Sequence, residues 1–258
     1  MSTAIVTFCE QGVVIAQRMR AGLGEAQVYV HRAAKRGGKA KSFSSIMTLA
    51  GKLFQQYRKL VFIAPCGMVV RAIAPHLRHK TTDPAVVVVD AGGRYAVSLL
   101  SGHEGGANQL ALQVANLISA EPVISTTTEA IKNLIVGVGC RRGEDSKNVV
   151  FAVRQALRSA KANLKQVRML ASASIKSDET GLLLAAKRLG LELRFIAAEE
   201  IRSTSRQFRH SRFVARKVNL PAVAEPAALL AGRRTQLILP KTIFNQVTVA
   251  IARENSSW

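Results

Sequence analysis

Cysteine, acidic residues and long apolar runs are all scarce in this sequence, and each scarcity excludes a class of protein. The three cysteines, Cys9, Cys66 and Cys140, lie too far apart to predict a disulfide framework or a zinc cluster. Lys or Arg interrupts every apolar run before it reaches the roughly 18 residues of a membrane span. The N-terminus has no basic region followed by a long apolar segment, so we expect no signal peptide and a cytoplasmic protein.

The shortage of acid leaves a large positive charge, because 16 Asp and Glu face 37 Lys and Arg for a formal net charge of +21. Such an excess suits nucleic acid, an acidic membrane surface or a small molecule with several carboxylates, and a plain solubility bias explains it equally well. Aromatic residues make up only 5% of the chain and no nucleic-acid-binding motif is present, which disfavours nucleic acid. The sequence also lacks a Walker loop, a dinucleotide fingerprint and a metal-ligand set.

The basic residues are densest between Arg202 and Lys217, where six cations occur without an acid. If this segment is helical, five arginines share about one third of the helical wheel and form a basic stripe. These are Arg202, Arg206, Arg209, Arg212 and Arg216. A solvated face is the alternative reading, as it is for the basic loop over 31–41 with Lys35 and Arg36.

Apolar, β-branched segments alternate with segments of helical periodicity along the chain. Because these strands show little polar alternation, we predict two α/β domains with mainly parallel sheets flanked by helices. A Pro and a Ser-Thr run over 121–133 mark the boundary between an N-terminal domain, 1–131, and a C-terminal domain, 132–258. Predicted strands are 3–8, 26–30, 60–64, 86–90, 95–100, 134–138, 167–173, 191–196, 236–240 and 247–252; predicted helices include 13–23, 42–57 (capped by Ser42 or Ser44), 68–74, 149–157, 182–189 and 225–231.

The stretch with the most chemistry is 98–108, S-L-L-S-G-H-E-G-G-A-N, which joins a strand to a helix. Its glycines let the backbone approach a ligand, and the helix start aims N–H groups at that ligand. His103 suits general acid or base catalysis, although a structural role is equally open. The amide of Asn108 could hold a substrate carbonyl or satisfy a local backbone group.

A second glycine turn, 139–143 or G-C-R-R-G, repeats this logic with two arginines. Arg141 and Arg142 suit bidentate binding of carboxylates, whereas a nucleophilic Cys140 is disfavoured because the sequence shows no partner for it. Arg71 is expected in the first turn of an earlier helix, within reach of the same ligand. Ligands in parallel α/β folds bind at the carboxyl ends of strands, where we expect these glycine turns to cluster.

Several stretches together resemble the CbiG family of cobalt-precorrin-5A hydrolases, in the family's order and over roughly 60–126 and 134–253. The family usually has a middle segment before the G-V-G-C strand, and that segment is missing here. The matching stretches are D-P-A-V-V-V-V-D at 83–90, the 98–108 loop, G-V-G-C-R-R-G at 137–143, D-E-T-G-L at 178–182, E-P-A-A-L-L at 225–230, V-T-V-A-I-A-R at 247–253 and V-V-R-A-I-A-P at 69–75.

The resemblance implies an enzyme of anaerobic cobalamin biosynthesis. Its substrate, cobalt-precorrin-5A, is a cobalt tetrapyrrole with acetate and propionate arms; water opens its δ-lactone, and acetaldehyde leaves to give cobalt-precorrin-5B. The substrate carries the cobalt, so no cofactor is implied. Neighbouring methyltransferases of the pathway are further candidate partners. A non-enzymatic tetrapyrrole carrier of the same fold is the alternative.

The chemistry that the resemblance implies assigns roles to particular residues. We expect His103 to do the acid and base work with help from Glu104, and backbone N–H groups around Gly105 and Gly106 to stabilise the oxyanion. The remaining residues are expected to bind the substrate, the cationic ones through its carboxylates. They are Arg71, Gly102, Asn108, Cys140, Arg141, Arg142, Glu225 and Lys241.

Overall fold

The computed structural model describes residues 3–34 and 39–255, which form two units with a sheet each. The contacts between Cα atoms divide the chain into Met1–Thr126 and Thr127–Trp258. The cut thus precedes residue 127, whereas the composition shift led to a boundary after residue 131. Within the described residues, no helix is long and apolar enough to cross a membrane.

The first unit is a seven-stranded sheet with helices on both faces. Its strands, in the spatial order β3-β2-β1-β4-β5-β6-β7, are all parallel to their neighbours except for β5 and β6, which are antiparallel. The strands are β1 (Thr3–Thr7), β2 (Ala26–His31), β3 (Lys41–Phe43), β4 (Lys59–Ile63), β5 (Ala85–Val89), β6 (Tyr95–Leu100) and β7 (Glu121–Val123). The helices are α1 (Glu10–Gly22), α2 (Ile46–Gln56), α3 (Cys66–Ile73) and α4 (Ala107–Ile118).

Both faces of this sheet are apolar because each is covered. In β4, Val61 and Ile63 belong to the core under α1 and α4, whereas Leu60 and Phe62 belong to the core under α2 and α3. This two-sided burial explains why the strands read as continuous apolar runs rather than as alternating ones.

The predicted start of the second helix in this unit is wrong. The sequence predicts a helix from residue 42, but Lys41–Phe43 pairs with the edge of β2, and α2 begins at Ile46. The cap is therefore Ser45, whose Oγ accepts a hydrogen bond from the N–H of Thr48 over 3.4 Å. Pairing with a distant strand has overridden the local helical pattern. Lys35 and Arg36 of the predicted basic loop lie outside the described residues.

The second unit is a five-stranded sheet in the order β10-β9-β8-β12-β11, with β8, β9 and β10 parallel and the two remaining strands antiparallel. The strands are β8 (Leu134–Gly139), β9 (Val167–Ala173), β10 (Glu192–Ile196), β11 (Thr235–Phe244) and β12 (Val247–Glu254). The helices are α5 (Thr127–Ala130), α6 (Ser146–Ser159), α7 (Thr180–Leu189), α8 (Ala198–Ser203), α9 (Arg212–Val218) and α10 (Ala224–Leu230). Two mainly parallel sheets flanked by helices confirm the predicted fold class.

A glycine determines how closely α10 packs on this sheet. A Cβ placed on Gly137 would collide with the backbone carbonyl of Ala224, at the start of α10. On the opposite face, Val136 and Val138 pack against α6 and α7. The first glycine of the G-V-G-C stretch therefore has a packing role.

The basic stripe over 202–217 depended on one continuous helix, and that condition is not met. The chain is helical only to Ser203 and again from Arg212, so Arg206 and Arg209 lie in the irregular segment between α8 and α9. The guanidinium of Arg206 donates to the backbone carbonyl of Thr235 over 3.2 Å. This cation therefore binds another segment of the same unit.

Candidate functional site

The 98–108 loop lies at the amino ends of β4 and β5, not at the carboxyl ends where the glycine turns were expected to cluster. Asp90 accepts hydrogen bonds from the N–H groups of Arg94 (2.7 Å) and Tyr95 (2.8 Å), which closes a tight turn between β5 and β6. A turn this short can join only antiparallel strands. Strand β6 therefore runs back across the sheet, with Leu100 opposite Val86, and delivers the loop to the other edge.

The loop is held against the segment that precedes β5. The hydroxyl of Ser101 donates to the carbonyl of Asp83 over 3.2 Å, and Nζ of Lys80 lies 2.8 Å from Oε1 of Glu104. Neither Lys80 nor Asp83 was among the predicted site residues, since no local pattern marks a partner some twenty residues away.

The start of α4 satisfies its own N–H groups through the loop. The N–H of Ala107 donates to the carbonyl of Ser101 over 3.1 Å, and that of Asn108 to the carbonyl of Gly102 over 3.0 Å. In the part of the chain that the structure describes, the N–H groups of Gly105 and Gly106 donate to no backbone acceptor. The predicted oxyanion donors, Gly105 and Gly106, are thus the ones left open.

The glycines of the loop are required by close packing as well. A Cβ on Gly102 would lie 2.7 Å from Cγ2 of Thr126, and one on Gly105 would lie 2.9 Å from the carbonyl oxygen of Ser101. Gly106 has φ +84°, a left-handed conformation that L side chains adopt only under strain. Side chains at these three positions would therefore disturb the loop.

The amide of Asn108 is already hydrogen-bonded to other side chains. Its Oδ1 accepts from the hydroxyl of Ser98 over 2.8 Å, and its Nδ2 donates to Oγ1 of Thr126 over 3.0 Å. The alternative left open by the sequence was a local backbone group, but both partners of the amide are side-chain hydroxyls. Binding of a substrate carbonyl stays a prediction.

His103 and Glu104 occupy the exposed tip of the loop. The hydrogen bond from Lys80 is the largest influence on Glu104; with the Lys80 charge it holds the pKa of that carboxyl below its usual value. Glu104 is therefore a carboxylate at neutral pH. His103 makes no hydrogen bond to any described residue, so its ring is free to reach a bound molecule.

Arg71 lies elsewhere, and its predicted place in a first helical turn is wrong. Helix α3 already begins at Cys66, so Arg71 falls in the last turn, and its Nη1 reaches back to the carbonyl of Gly67 over 3.3 Å. The guanidinium of Arg71 therefore lies beside Gly67 at the start of α3, which follows the carboxyl end of β4, whereas the His103 loop lies at the amino end of that strand. The structure does not bring these two residues together.

In the second unit, the 139–143 turn does lie at the carboxyl ends of parallel strands, as expected. Arg142 pairs with Asp178, Nη2 to Oδ2, over 3.0 Å, and the N–H of Gly143 donates to Oε1 of Glu179 over 2.9 Å. Arg141 is exposed.

A cavity of about 410 Å³ opens beside this turn, between the starts of α6 and α7. Its lining has one arginine, Arg142, and four carboxylates, which are those of Glu144, Asp145, Asp178 and Glu179. The carboxylates have partners of their own: Asp145 caps α6 through the N–H of Lys147, for example. A wall with this charge balance disfavours the carboxylate arms for which the two arginines were predicted.

Cys140 is half-buried in the same turn. Burial is the main cause that raises the pKa of its thiol to about 11, with Lys176 opposing the shift and Glu179 adding to it. The sulfur therefore stays protonated near neutral pH, as expected for a cysteine that is not a nucleophile.

The side chain of Glu225 binds the backbone of Lys241, not its ammonium group. Glu225 is 1% exposed, and its Oε1 accepts from the N–H of Lys241 over 2.6 Å while its Oε2 accepts from the N–H of Arg209 over 2.6 Å. Lys241 itself lies inside β11, although the sequence predicted it just beyond a strand. The carboxylate of Glu225 thus joins two segments of the unit, and its role in substrate binding stays a prediction.

Within the described residues, no group of His, Cys, Asp and Glu could hold a metal ion.

The sequence of the chain matches two family models in succession. Residues 48–129 match the N-terminal domain of cobalamin synthesis protein G (CbiG), and residues 134–252 match its C-terminal domain.

Individual relatives agree with these matches. The chain is 26% identical to cobalt-precorrin-5A hydrolase of Priestia megaterium, covering 96% of this chain and 94% of the relative. That alignment has 352 positions, more than the 258 residues here, so the relative has residues that this chain lacks. The chain is also 35% identical to cobalt-precorrin-5A hydrolase of Salmonella typhimurium, over 60% of this chain and 45% of the relative.

A shorter relative matches half of the chain. Protein CobE of Sinorhizobium sp is 31% identical over 49% of this chain and 83% of its own length. Since the two family models follow each other in order and span most of the sequence, the chain belongs to the CbiG family of cobalamin biosynthesis.

Proposed function

We propose that this chain is a cobalt-precorrin-5A hydrolase, which opens the δ-lactone of the cobalt tetrapyrrole and releases acetaldehyde to give cobalt-precorrin-5B. The observation that carries the proposal is the pair of CbiG domains, which occur in order across 48–129 and 134–252. Two relatives with the name cobalt-precorrin-5A hydrolase add support.

The 98–108 loop offers the groups that lactone opening needs. Water must lose a proton as its oxygen bonds to the lactone carbonyl, and the free ring of His103 can take that proton. The oxyanion that forms needs donors, and the open N–H groups of Gly105 and Gly106 can supply them. Collapse of the tetrahedral intermediate then breaks the acyl–oxygen bond and leaves a carboxylate and an alcohol.

Release of acetaldehyde requires a second proton transfer. A base removes the proton of the new hydroxyl, the C–O bond becomes the carbonyl of acetaldehyde, and the electron pair of the broken C–C bond passes to the macrocycle. His103 can serve again, because it gives the first proton to the alkoxide that leaves when the lactone opens and so becomes a neutral base once more. No described residue binds its ring. The carboxylate of Glu104, ionised beside Lys80, is placed next to it to favour the imidazolium.

The resemblance to the family also suggests a compartment and protein partners. On the resemblance alone we propose the cytoplasm as the compartment and neighbouring pathway methyltransferases as partners. Co-purification of the tagged chain with those methyltransferases, against the tag alone, tests the second point.

The direct test is incubation of the purified chain with cobalt-precorrin-5A. We expect stoichiometric acetaldehyde, trapped as its hydrazone, and a tetrapyrrole that has gained water and lost acetaldehyde by mass. A boiled sample controls for spontaneous opening of the lactone. Tetrapyrrole binding without acetaldehyde would instead identify a carrier and contradict the proposal.

A further inference from the structure

A second cavity lies in the first unit, where the sequence predicted no site. Its volume is about 390 Å³, and it opens between α2 and the segment that leads from α3 to β5. The helix contributes Phe54 and Gln55 to the lining, and the segment contributes His76, Arg78 and Asp83 among others.

This cavity and the 98–108 loop share a wall. The segment over 78–84 lines the cavity, and the same segment binds the loop at two points. The carbonyl of Asp83 accepts from the hydroxyl of Ser101, and Lys80 pairs with Glu104 beside His103. The cavity wall and the His103 loop are therefore in direct contact through Asp83 and Ser101.

The lining suits an apolar stem that ends in a carboxylate. Phe54 and the ring of His76 pack with their centroids 6.0 Å apart and supply an apolar wall. Arg78 is exposed, and its guanidinium has no hydrogen-bond partner among the described residues, whereas its backbone N–H is bound by both carboxylate oxygens of Asp83, at 3.0 and 3.2 Å. The lining thus holds one carboxylate, bound by a backbone donor, and one guanidinium with no hydrogen-bond partner among the described residues.

The cavity of the second unit has the opposite character. There, Arg142 is already paired with Asp178, and four carboxylates line the wall. Of the two cavities, the one in the first unit is the one whose charge can accept a carboxylate.

We propose that the cavity between α2 and 75–84 binds a carboxylate-bearing arm of the tetrapyrrole, with Arg78 as the carboxylate partner. This inference rests on the proposed function for the identity of the molecule. The cavity is far smaller than the macrocycle, so it takes the arm alone and leaves the ring outside, where His103 can reach the lactone. Arg78 then adds affinity that the substrate keeps in the transition state, without a part in the chemical step.

The test uses the full chain and cobyrinic acid, a stable cobalt corrin with free carboxylate arms, in calorimetric titrations. Arg78→Gln removes the cation, and Gln55→Glu adds a like charge to the lining without a change of shape. Because a charge-assisted hydrogen bond is lost or opposed, we expect Kd to rise about tenfold in both variants. Arg18→Gln is the matched control, since Arg18 is exposed on α1, across the sheet from α2.

Fully methyl-esterified cobyrinic acid separates the carboxylate contribution from contacts with the ring. It should bind the wild type and the Arg78→Gln variant equally. In turnover of cobalt-precorrin-5A, Arg78→Gln should raise KM about tenfold and leave kcat within about twofold of the wild type. A merely structural role would instead change the binding of the ester or the folding of the variant.

The outcomes also separate this inference from the proposed function. If the wild type releases no acetaldehyde yet binds cobyrinic acid through Arg78, the proposed hydrolase function is wrong and the proposed subsite is supported. If acetaldehyde is released and Arg78→Gln has wild-type Kd and KM, the subsite is wrong and the hydrolase stands. A wild type that does not bind cobyrinic acid also overturns the subsite.

Discussion

Nδ2 of Asn108 donates a hydrogen bond to Oγ1 of Thr126 over 3.0 Å, and this contact ties the His103 loop to the last residue of the first unit. The same amide accepts from Ser98 over 2.8 Å. One side chain thus joins the end of β6, the start of α4 and the chain that leaves the unit. A site on an irregular loop keeps its geometry only when such contacts hold it.

Asn108→Ala should therefore destabilise the first unit. Two part-buried hydrogen bonds are lost, and the hydroxyls of Ser98 and Thr126 lose a partner, which should cost roughly 1–3 kcal/mol in the free energy of unfolding. Urea denaturation followed by circular dichroism measures this. Gln109→Ala, at an exposed neighbour on the same helix, is the control. Equal midpoints for the two variants would show that the contact contributes nothing.

His103→Ala should lower turnover far more than binding. Loss of a general acid or base typically costs ~10²–10⁴-fold in kcat. The exposed ring packs on nothing that would unfold, so Kd for cobyrinic acid should stay within about twofold. Acetaldehyde release under saturating substrate gives kcat, and Gln109→Ala again serves as the control. Wild-type turnover in the His103 variant would remove this residue from the mechanism.

Gly137→Ala should lower the free energy of unfolding much more than Gly139→Ala, although both glycines lie in β8. A Cβ on Gly137 collides with the carbonyl of Ala224, and relief of that overlap by movement of α10 should cost about 3 kcal/mol. A Cβ on Gly139 would lie 3.4 Å from Cβ of Val223, an ordinary contact, so we expect less than about 1 kcal/mol. Thermal unfolding compares the two, and equal costs would refute the packing role.

Glu225→Gln should destabilise the second unit despite its nearly identical shape. An amide NH₂ would replace one oxygen and face the N–H of Lys241 or Arg209, which leaves buried donors without acceptors at a cost of roughly 1–3 kcal/mol. Glu199→Gln is the matched control, because Glu199 is 79% exposed and its ion pair with Arg202 contributes at most about 1 kcal/mol. A Glu225 variant as stable as the control would contradict the structural role.

Cys140 should make the stability of the protein depend on pH in the alkaline range. The folded-state pKa of about 11 lies above the ordinary thiol value of about 8.5, so the unfolded state ionises first and stability should fall as pH rises between the two. Cys140→Ala should remove that part of the fall. Alkylation by iodoacetamide, followed by peptide mass, should show Cys140 reacting far more slowly than exposed Cys66 at neutral pH. Equal rates would mean that the thiol is not protected.

Local sequence predicted several strands well. The strands at Tyr95–Leu100 and Val167–Ala173 have the predicted bounds, because each is a largely apolar run that ends at turn residues. The strand at Lys41–Phe43 was missed, since only its pairing with β2 makes it a strand. The basic stripe over 202–217 required one continuous helix, which the chain does not form there, and Arg206 is bound to the distant carbonyl of Thr235.

The sequence by itself determined the two α/β sheets and the family, since apolar periodicity and ordered motifs are properties of neighbouring residues. Only the tertiary structure decided which predicted site residues come together. Because β6 runs antiparallel to β5, His103 lies at the amino ends of the strands, whereas Arg71 contacts Gly67 beside the carboxyl end of β4. The tight glycine turn at 92–93 is the sequence feature that indicates this reversal. The partners of Glu104 and Glu225 depend on where distant segments pass, and no local pattern records the path of the chain in space.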